Sequence, residues 1–402
     1  MTRREFLGAA IAATAAQRGW AAQTPAGVKI TRVVNFDLHL RRPKYIGKNS
    51  HRDDHGETSS DRVLRLYTNA GVDGFGTCSC GANECAQLLG RDPFDFFRPD
   101  ERRVASPLAR YTSPLWDLCG RLLKKPVYEL LGGKAPAGGP ARVPVYDGTI
   151  YFSELVPQYA PRGLDRFKDE IDLGLKMGHR AFKVKIGRGY HWMRAEEGYA
   201  RDIDVLKVIR RHAGPGILIA VDTNDGYDLA RSKRLLTDLP DYGFAWLEEM
   251  FIDNVEHYLE LKRFLAERGC KALVSDGENT RRPGDMKRWV EAKAVDILQG
   301  DMNQFGFEDI VAEAEMARPA GIQVAPHNWG SLIAYYLQLQ VGPAVPNFYR
   351  AEHDPLTCPA LIADGYTLAN GESTVPDAPG LGLMLDDARL PDFARVHFDL
   401  KL

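Results

Sequence analysis

The chain has 402 residues, of which 44% are hydrophobic and 26% charged, so it is long enough to bury a large core and exceeds one typical domain. Its 52 basic and 54 acidic residues leave a formal net charge of −2, which gives no indication of nucleic acid or an anionic membrane as a partner. One large domain with a smaller companion is the expected organisation.

The N-terminus has the pattern of an export signal. Arg3 and Arg4 precede a short run of small apolar residues from 8 to 16. Because this run is too short to span a bilayer, residues 1–23 are predicted to be a twin-arginine signal of an exported or periplasmic protein. The alternative is an N-terminal helix of a cytoplasmic protein. No other stretch is apolar and long enough for membrane integration.

The six cysteines are too few for a disulfide framework in a chain of this length. Cys78, Cys80 and Cys85 form a cluster, but it has no nearby fourth ligand for a metal. Buried or edge thiols are expected, and one disulfide is possible in an oxidising compartment.

Residues 24–140 are expected to form the smaller domain, of the α+β type. Alternating residues in 28–40 and 62–68 predict strands, and apolar residues at helical spacing follow them. The charged connection 49–57, which contains His51, is predicted to be either a lid over a pocket or a solvated hairpin loop. A stretch rich in glycine and proline then marks a domain boundary.

Residues 141–354 alternate short apolar strands with amphipathic segments of helical length, and residues 355–402 follow them. The pattern predicts a parallel barrel of eight strands joined by seven helices. The strands are predicted at 143–147, 181–186, 217–222, 244–248, 271–276, 295–300, 322–326 and 347–351.

Ionisable and polar residues are concentrated where these predicted strands end. In chain order they are Asp147, Lys183, Lys185, Asp222, Asn224, Glu248, Glu278, Asp301, His327 and Glu352. Side chains at the C-terminal ends of parallel barrel strands point into one mouth, where active sites are built. The two lysines are two residues apart and are therefore expected on the same side of their strand.

Three of these residues, Asp222, Glu248 and Glu278, are predicted to bind a metal ion. Carboxylates gathered in one mouth repel one another and lose hydration unless a cation neutralises them. All three offer hard oxygen ligands, so Mg²⁺ is favoured over Zn²⁺. Any one of them alone could be an ordinary solvated loop acid, but their repetition at successive strand ends favours the metal site.

The ordered motifs resemble the enolase superfamily, and within it the mandelate racemase subgroup. They are Lys-x-Lys, Asp-x-Asn, Leu-Glu-Glu, Gly-Glu-Asn, Asp-Ile-Leu-Gln-Gly-Asp and Ala-Pro-His. The resemblance covers nearly the whole chain after the predicted signal. It implies a modified TIM barrel of the (β/α)7β type under an α+β capping domain, which the C-terminal segment completes, and a homo-oligomer.

Carried over position by position, the resemblance makes the three carboxylates the Mg²⁺ ligands. Lys185 is implied to be one acid/base, and His327, oriented by Asp301, the other on the opposite face. Lys183 is implied to hold the substrate carboxylate and to lower the pKa of Lys185. Glu352 matches the position that hydrogen-bonds the developing enediolate.

Proton removal next to a carboxylate creates an enediolate, which a bound divalent cation stabilises. Asn224, Asp147, Tyr146 and His51 are expected to contact this carboxylate substrate, a small molecule. The expected reaction is dehydration of a sugar acid to a 2-keto-3-deoxy acid. A racemase or epimerase is the second hypothesis, and a non-catalytic exported carbohydrate-binding protein the third.

The chain departs from the family pattern at two places. Met250 stands where proline is usual, and residues 187–197 are predicted to be an insertion whose aromatic residues reach towards the pocket. These departures leave the identity of the acid open.

Overall fold

The computed structural model describes residues 25–98, 101–134 and 136–402, so the predicted export signal lies outside the described residues. Within those ranges, no helix combines the length and the hydropathy needed to cross a membrane. Cys78, Cys80 and Cys85 are free thiols, and the first and third are buried.

The strands and helices of the described residues alternate regularly only after residue 140. The strands are β1 (Ile30–Ile46), β2 (Gly56–Thr68), β3 (Asp73–Thr77), β4 (Phe97–Arg98), β5 (Arg103–Val104), β6 (Ala141–Ile150), β7 (Ala181–Lys185), β8 (Leu218–Asp222), β9 (Phe244–Glu248), β10 (Leu273–Asp276), β11 (Ile297–Leu298), β12 (Gln323–Val324), β13 (Ala351–His353), β14 (Leu361–Ile362), β15 (Leu368–Ala369), β16 (Glu372–Val375), β17 (Met384–Leu385) and β18 (Ala394–Lys401). The helices are α1 (Ala82–Ala86), α2 (Ser113–Leu123), α3 (Val127–Leu130), α4 (Asp165–Met177), α5 (Ala195–Ala213), α6 (Leu229–Asp238), α7 (Val255–Glu267), α8 (Lys287–Ala292), α9 (Met302–Ala317), α10 (Leu332–Val341) and α11 (Leu390–Phe393).

The N-terminal region is built on an antiparallel sheet in the order β18-β1-β2-β3. The face of this sheet packs against α2, whose residues are almost all buried. Strand and helix approach closely because Gly74 has no side chain: a Cβ atom there would lie 2.5 Å from the backbone of Leu118. This α+β unit is the capping domain of the molecule.

The barrel consists of β6 to β13, eight strands that are parallel to their neighbours, and α4 to α10 connect them in turn. Residues 347–349 hydrogen-bond to Val324 of β12, and β13 then pairs with β6, which closes the ring. The predicted fold, a modified TIM barrel with an α+β capping domain, is confirmed. Several strands are shorter than predicted, and the last lies at Ala351–His353 rather than 347–351.

The C-terminal segment pairs with strands in two parts of the molecule. Its last strand, β18, pairs with β1 and completes the capping sheet. Before that, β16 pairs antiparallel with the start of β6, where Glu372 lies opposite Pro144. The prediction assigned residues 355–402 to the capping domain alone, whereas the structure divides them between that domain and the lower rim of the barrel.

A buried ion-pair network holds the chain just beyond β7. Arg188 is fully buried and donates hydrogen bonds to Glu154 at 2.6 and 3.0 Å and to Asp202 at 2.7 Å. Asp202 also accepts from the backbone N–H of Gly187 at 2.8 Å and from the hydroxyl of Tyr227 at 2.9 Å. These contacts hold Gly187 and Arg188, the first residues of the predicted insertion, in place.

Replacement of Arg188 by methionine is expected to lower the free energy of unfolding by about 3–5 kcal/mol, because it leaves two buried carboxylates without their cation. Urea denaturation measures this change. Arg162→Met removes an exposed pair with Asp169 and should cost less than about 1 kcal/mol. Equal effects of the two substitutions would contradict the structural role of the network.

Candidate active site

The three predicted metal ligands meet at the C-terminal rim of the barrel. Asp222 ends β8 and lies opposite Glu248, which ends β9, in the strand register. Glu278 follows two residues after β10. One carboxylate oxygen from each lies within 4.8 Å of the others, so the three could hold one ion.

The donor set fits Mg²⁺. Asp222 and Glu248 are buried, and Oε2 of Glu278 is buried without a hydrogen bond. Burial raises the pKa of Glu248, and Lys183 lowers it. The neighbouring carboxylates raise it again, so the pKa of Glu248 is about 7. A buried cluster with this excess of negative charge favours a hard divalent cation with oxygen ligands.

The two lysines of β7 point to the same side but occupy different depths. Nζ of Lys183 is buried beneath the triad and lies 2.8 Å from Glu352, 2.5 Å from Glu248 and 3.3 Å from Asp222. Lys185 forms an ion pair with Asp222 and lines the cavity above it. Lys183 therefore holds protein carboxylates, and of the two lysines it is Lys185 that lines the cavity.

Lys183 lowers the pKa of Lys185, as predicted, but a carboxylate opposes this effect. Burial lowers this pKa, and Lys183 lowers it further. The adjacent Asp222 carboxylate outweighs both effects, so the pKa of Lys185 lies above its usual range. The carboxylate partner of the lysine, rather than its lysine neighbour, determines the sign of the shift.

A histidine and an aspartate form a dyad on the other side of the triad. Nδ1 of His327 lies 2.6 Å from Oδ2 of Asp301, which leaves Nε2 facing the site, 3.3 Å from Glu278. Burial lowers the pKa of His327, but Glu278, Glu352 and Asp301 together raise it to about 9. When protonated, the histidine can donate a proton from Nε2 to a group in the cavity.

Glu352, at the end of the barrel, completes the buried charge cluster. It accepts from the backbone N–H of Asn328 at 3.0 Å as well as from Lys183. A Cβ at residue 148 would lie 2.3 Å from Oε1 of Glu352, so glycine at this position lets the carboxylate keep its contact with Lys183.

Two of the four predicted substrate contacts lie at the cavity and two do not. His51 and Asn224 line it. Tyr146 is buried inside the barrel, 4.9 Å from Trp246 between ring centroids, and Asp147 is buried with its carboxylate bound to Thr149. The prediction was wrong for these two because β6 continues to Ile150, so that neither stands at the strand end.

The cavity above the triad has a volume of about 610 Å³ and lies between the barrel rim and the capping domain. Sequence reasoning missed several of the side chains that line it, namely Arg52, His55, Tyr151, Glu249, Asn279 and Trp329. Glu249 and Tyr151 each directly follow a strand that ends at the site. His55 belongs to the charged connection that was predicted to be a lid or a hairpin loop.

The barrel part of the chain decides the family. Residues 166–389, more than half of the chain, match the model of the enolase C-terminal domain-like family. The chain belongs to this family. A D-xylonate dehydratase of Haloferax volcanii is 27% identical over 355 residues, which cover 81% of this chain and 83% of the relative.

Solved structures agree with this assignment over the whole described fold. A mandelate racemase/muconate lactonizing protein from Geobacillus sp. Y412MC10, complexed with magnesium and tartrate, is 31% identical with a TM-score of 0.85, over 92% of this chain and 96% of that one. A galacturonate dehydratase from Geobacillus sp., complexed with D-galacturonate and 5-keto-4-deoxy-D-galacturonate, is 29% identical with a TM-score of 0.84, over 93% and 100%.

Loss of one carboxylate from the triad tests the metal site. Glu278→Gln should weaken Mg²⁺ binding by at least about 10-fold, because it removes a charged oxygen ligand without changing shape. Calorimetric titration with MgCl₂ measures the affinity. Asp285→Asn, an exposed acid on the following loop, should bind Mg²⁺ as the unmodified protein does. Unchanged affinity in Glu278→Gln would place the ion elsewhere.

Behind the histidine dyad lies a buried carboxyl group with no cation. Glu313 of α9 is 1% exposed, and its Oε1 accepts from the N–H of Gly300 at 3.2 Å, while Oε2 has no hydrogen bond. The carbonyl of Gly300 in turn accepts from the N–H of His327. Burial raises the pKa of Glu313 to about 8, so the group is neutral in the folded state at pH 7.

Glu313→Gln should make stability less dependent on pH. An acid whose pKa is raised on folding binds a proton more tightly in the folded state, so stability falls as pH rises from about 4.5 to about 8. Glutamine cannot ionise, so the free energy of unfolding of the variant should gain about 4 kcal/mol relative to the wild type between pH 5 and 9. Urea titrations at each pH measure this. Glu315→Gln, exposed on the same helix, should show no such gain.

Proposed function

We propose that this protein is a Mg²⁺-dependent hydro-lyase that dehydrates a sugar acid to a 2-keto-3-deoxy acid. The observation that carries the proposal is the position of the two proton-transfer groups. Lys185 comes from β7 and His327 follows β12, so they lie on either side of the three strands that carry the metal triad. The D-xylonate and galacturonate dehydratases similar to this chain support sugar acids as the substrate class.

In the proposed reaction the C–H bond next to the carboxylate breaks first. Asp222, Glu248 and Glu278 would hold Mg²⁺, which would supply positive charge to stabilise the enediolate and to offset the Asp222 carboxylate that raises the pKa of Lys185. With the charge of Asp222 offset in this way, Lys185 would act as a neutral amine and accept the proton from the α-carbon. The buried Lys183 stays bound to Glu248 and Glu352 and fixes the triad from below.

The second half of the reaction expels the hydroxyl group from the neighbouring carbon. His327 has its Nδ1 bound to Asp301 and presents Nε2 to the cavity, so it can protonate the departing oxygen. Water leaves, and the resulting enol becomes the 2-keto acid as the carbon that lost the hydroxyl takes up a proton and the enol hydroxyl gives one up. The orientation of His327 by Asp301 is the feature of the site that supports elimination.

A racemase or epimerase is the second candidate, because two proton-transfer groups on opposite sides of one α-carbon can also remove and return the same proton. A binding protein would not need either group. Export through residues 1–23 and a homo-oligomeric assembly remain predictions from the sequence.

Lys185→Met and His327→Asn should each lower the rate of 2-keto acid formation by about 10²–10⁴-fold, since each removes one proton-transfer group. The measurement follows 2-keto product and α-deuterium together for a panel of sugar acids in deuterated water. Magnesium affinity serves as a check on the site, and Lys207→Met, an exposed lysine on α5, is the matched control.

The same measurement distinguishes the candidates. Deuterium exchange in the wild type without keto product would establish a racemase or epimerase. Magnesium binding with neither product nor exchange would refute both enzymes and favour the binding protein.

A further inference from the structure

The capping loop, residues 47–55, is held firmly against the barrel rim. Oγ of Ser50 donates to the carbonyls of Thr223 at 2.6 Å and Ile186 at 3.1 Å, which lie just beyond β8 and β7. The indole N–H of Trp192, in the predicted insertion, donates to the carbonyl of Asn49 at 2.6 Å. The loop is therefore neither a free lid nor a plain solvated hairpin, but one wall of the cavity.

Within this loop a tight turn presents Arg52 to the cavity. Oδ1 of Asn49 accepts from the backbone N–H of Arg52 at 2.8 Å and of His51 at 3.0 Å, so the turn has one conformation. No hydrogen bond or ion pair joins the guanidinium of Arg52 to another residue within the described part of the chain. Asp225 lines the same cavity and does not pair with it.

His55 lies in the same wall with a free ring nitrogen. Its Nε2 is buried and has no hydrogen bond. The ring is held edge-on by Tyr151 and Trp329, at centroid distances of 5.0 and 5.1 Å. Burial, followed by Lys185, Arg42 and Arg52, lowers the pKa of His55 to about 3, so the neutral ring lies in a region of positive potential.

A single anion can hydrogen-bond to both the guanidinium of Arg52 and the ring nitrogen of His55. A carboxylate can accept two parallel hydrogen bonds from a guanidinium and a further one from a neutral imidazole N–H. Arg52 is exposed at the mouth of the cavity, and its guanidinium is always ionised, so a carboxylate there would form a charge-assisted pair that a hydroxyl or aldehyde cannot form. The metal triad already takes one carboxylate under the proposed function, so a carboxylate at the wall would be a second one.

We infer that Arg52 and His55 form a subsite for the distal carboxylate of a sugar diacid, that is, an aldaric acid. This inference rests on the proposed function for the position of the first carboxylate. It selects aldaric acids over the aldonic and uronic acids of the same configuration, which end in a hydroxymethyl or an aldehyde group.

The test compares acids that differ only at that end. D-Gluconate, D-glucuronate and D-glucarate form one set, and D-galactonate, D-galacturonate and galactarate another. With the Mg²⁺-loaded protein, kcat/KM is measured for each, and calorimetry gives the dissociation constants in the Lys185→Met variant. In at least one set the diacid should bind about 10-fold more tightly than its aldonic acid or better, as expected for a charge-assisted hydrogen bond.

Substitutions then assign the preference to the wall. Arg52→Gln should abolish the advantage of the diacid through KM with little change in kcat, and Arg52→Lys should restore part of it. His55→Phe keeps the ring packing and should reduce diacid binding several-fold. Arg91→Gln, an exposed arginine of the capping domain paired with Asp95, should leave the preference unchanged.

The results of these measurements distinguish failure of the subsite from failure of the proposed reaction. A diacid that binds no better than its aldonic and uronic counterparts, or a preference that survives Arg52→Gln, overturns the subsite while leaving dehydration of another acid intact. Diacid-selective binding that depends on Arg52, without turnover of any acid by the wild type, supports the subsite and refutes the proposed reaction.

Discussion

The burial of Lys183 is the constraint on which the rest of the site depends. One ammonium group lies beneath three carboxylates that come from β8, β9 and β13, strands on different arcs of the barrel. Carboxylates in a protein interior are costly unless a cation and hydrogen bonds compensate them. Lys183 supplies that compensation from inside, so that the upper face of the same carboxylates stays available to an ion and a substrate.

The charged side chains of the site fall into two groups, those buried among other protein groups and those that reach the cavity. Lys183 and Glu352 are inaccessible, whereas Lys185, Glu278 and His327 reach the cavity. Around the barrel, the metal triad occupies three consecutive strands, and a proton-transfer group stands on each side of it. A substrate carboxylate on the triad would thus have its α-carbon between two groups of different chemistry, an amine and an imidazole.

Strand order made most of this site predictable from the sequence, because side chains at the C-terminal ends of parallel barrel strands point into the mouth of the barrel. The same reasoning failed where a strand end was misplaced. β6 runs three residues past Asp147, so Tyr146 and Asp147 are buried below the rim. Helix α9 begins at Met302, where Asp301 caps it, and is kinked at Gly306, so two helical segments follow one another there. The tertiary roles of Arg52 and His55 depend on where the capping domain docks, and no local periodicity encodes that position.

The pairing of β18 with β1 links the cavity wall to a strand that is distant in the sequence. The eight residues of β18 cover one edge of β1, the 17-residue strand that leads into the capping loop. Without β18 that edge of β1 would be open to pairing with another chain. A substitution that weakens β18 would therefore loosen the support of the capping loop, although no residue of β18 lines the cavity.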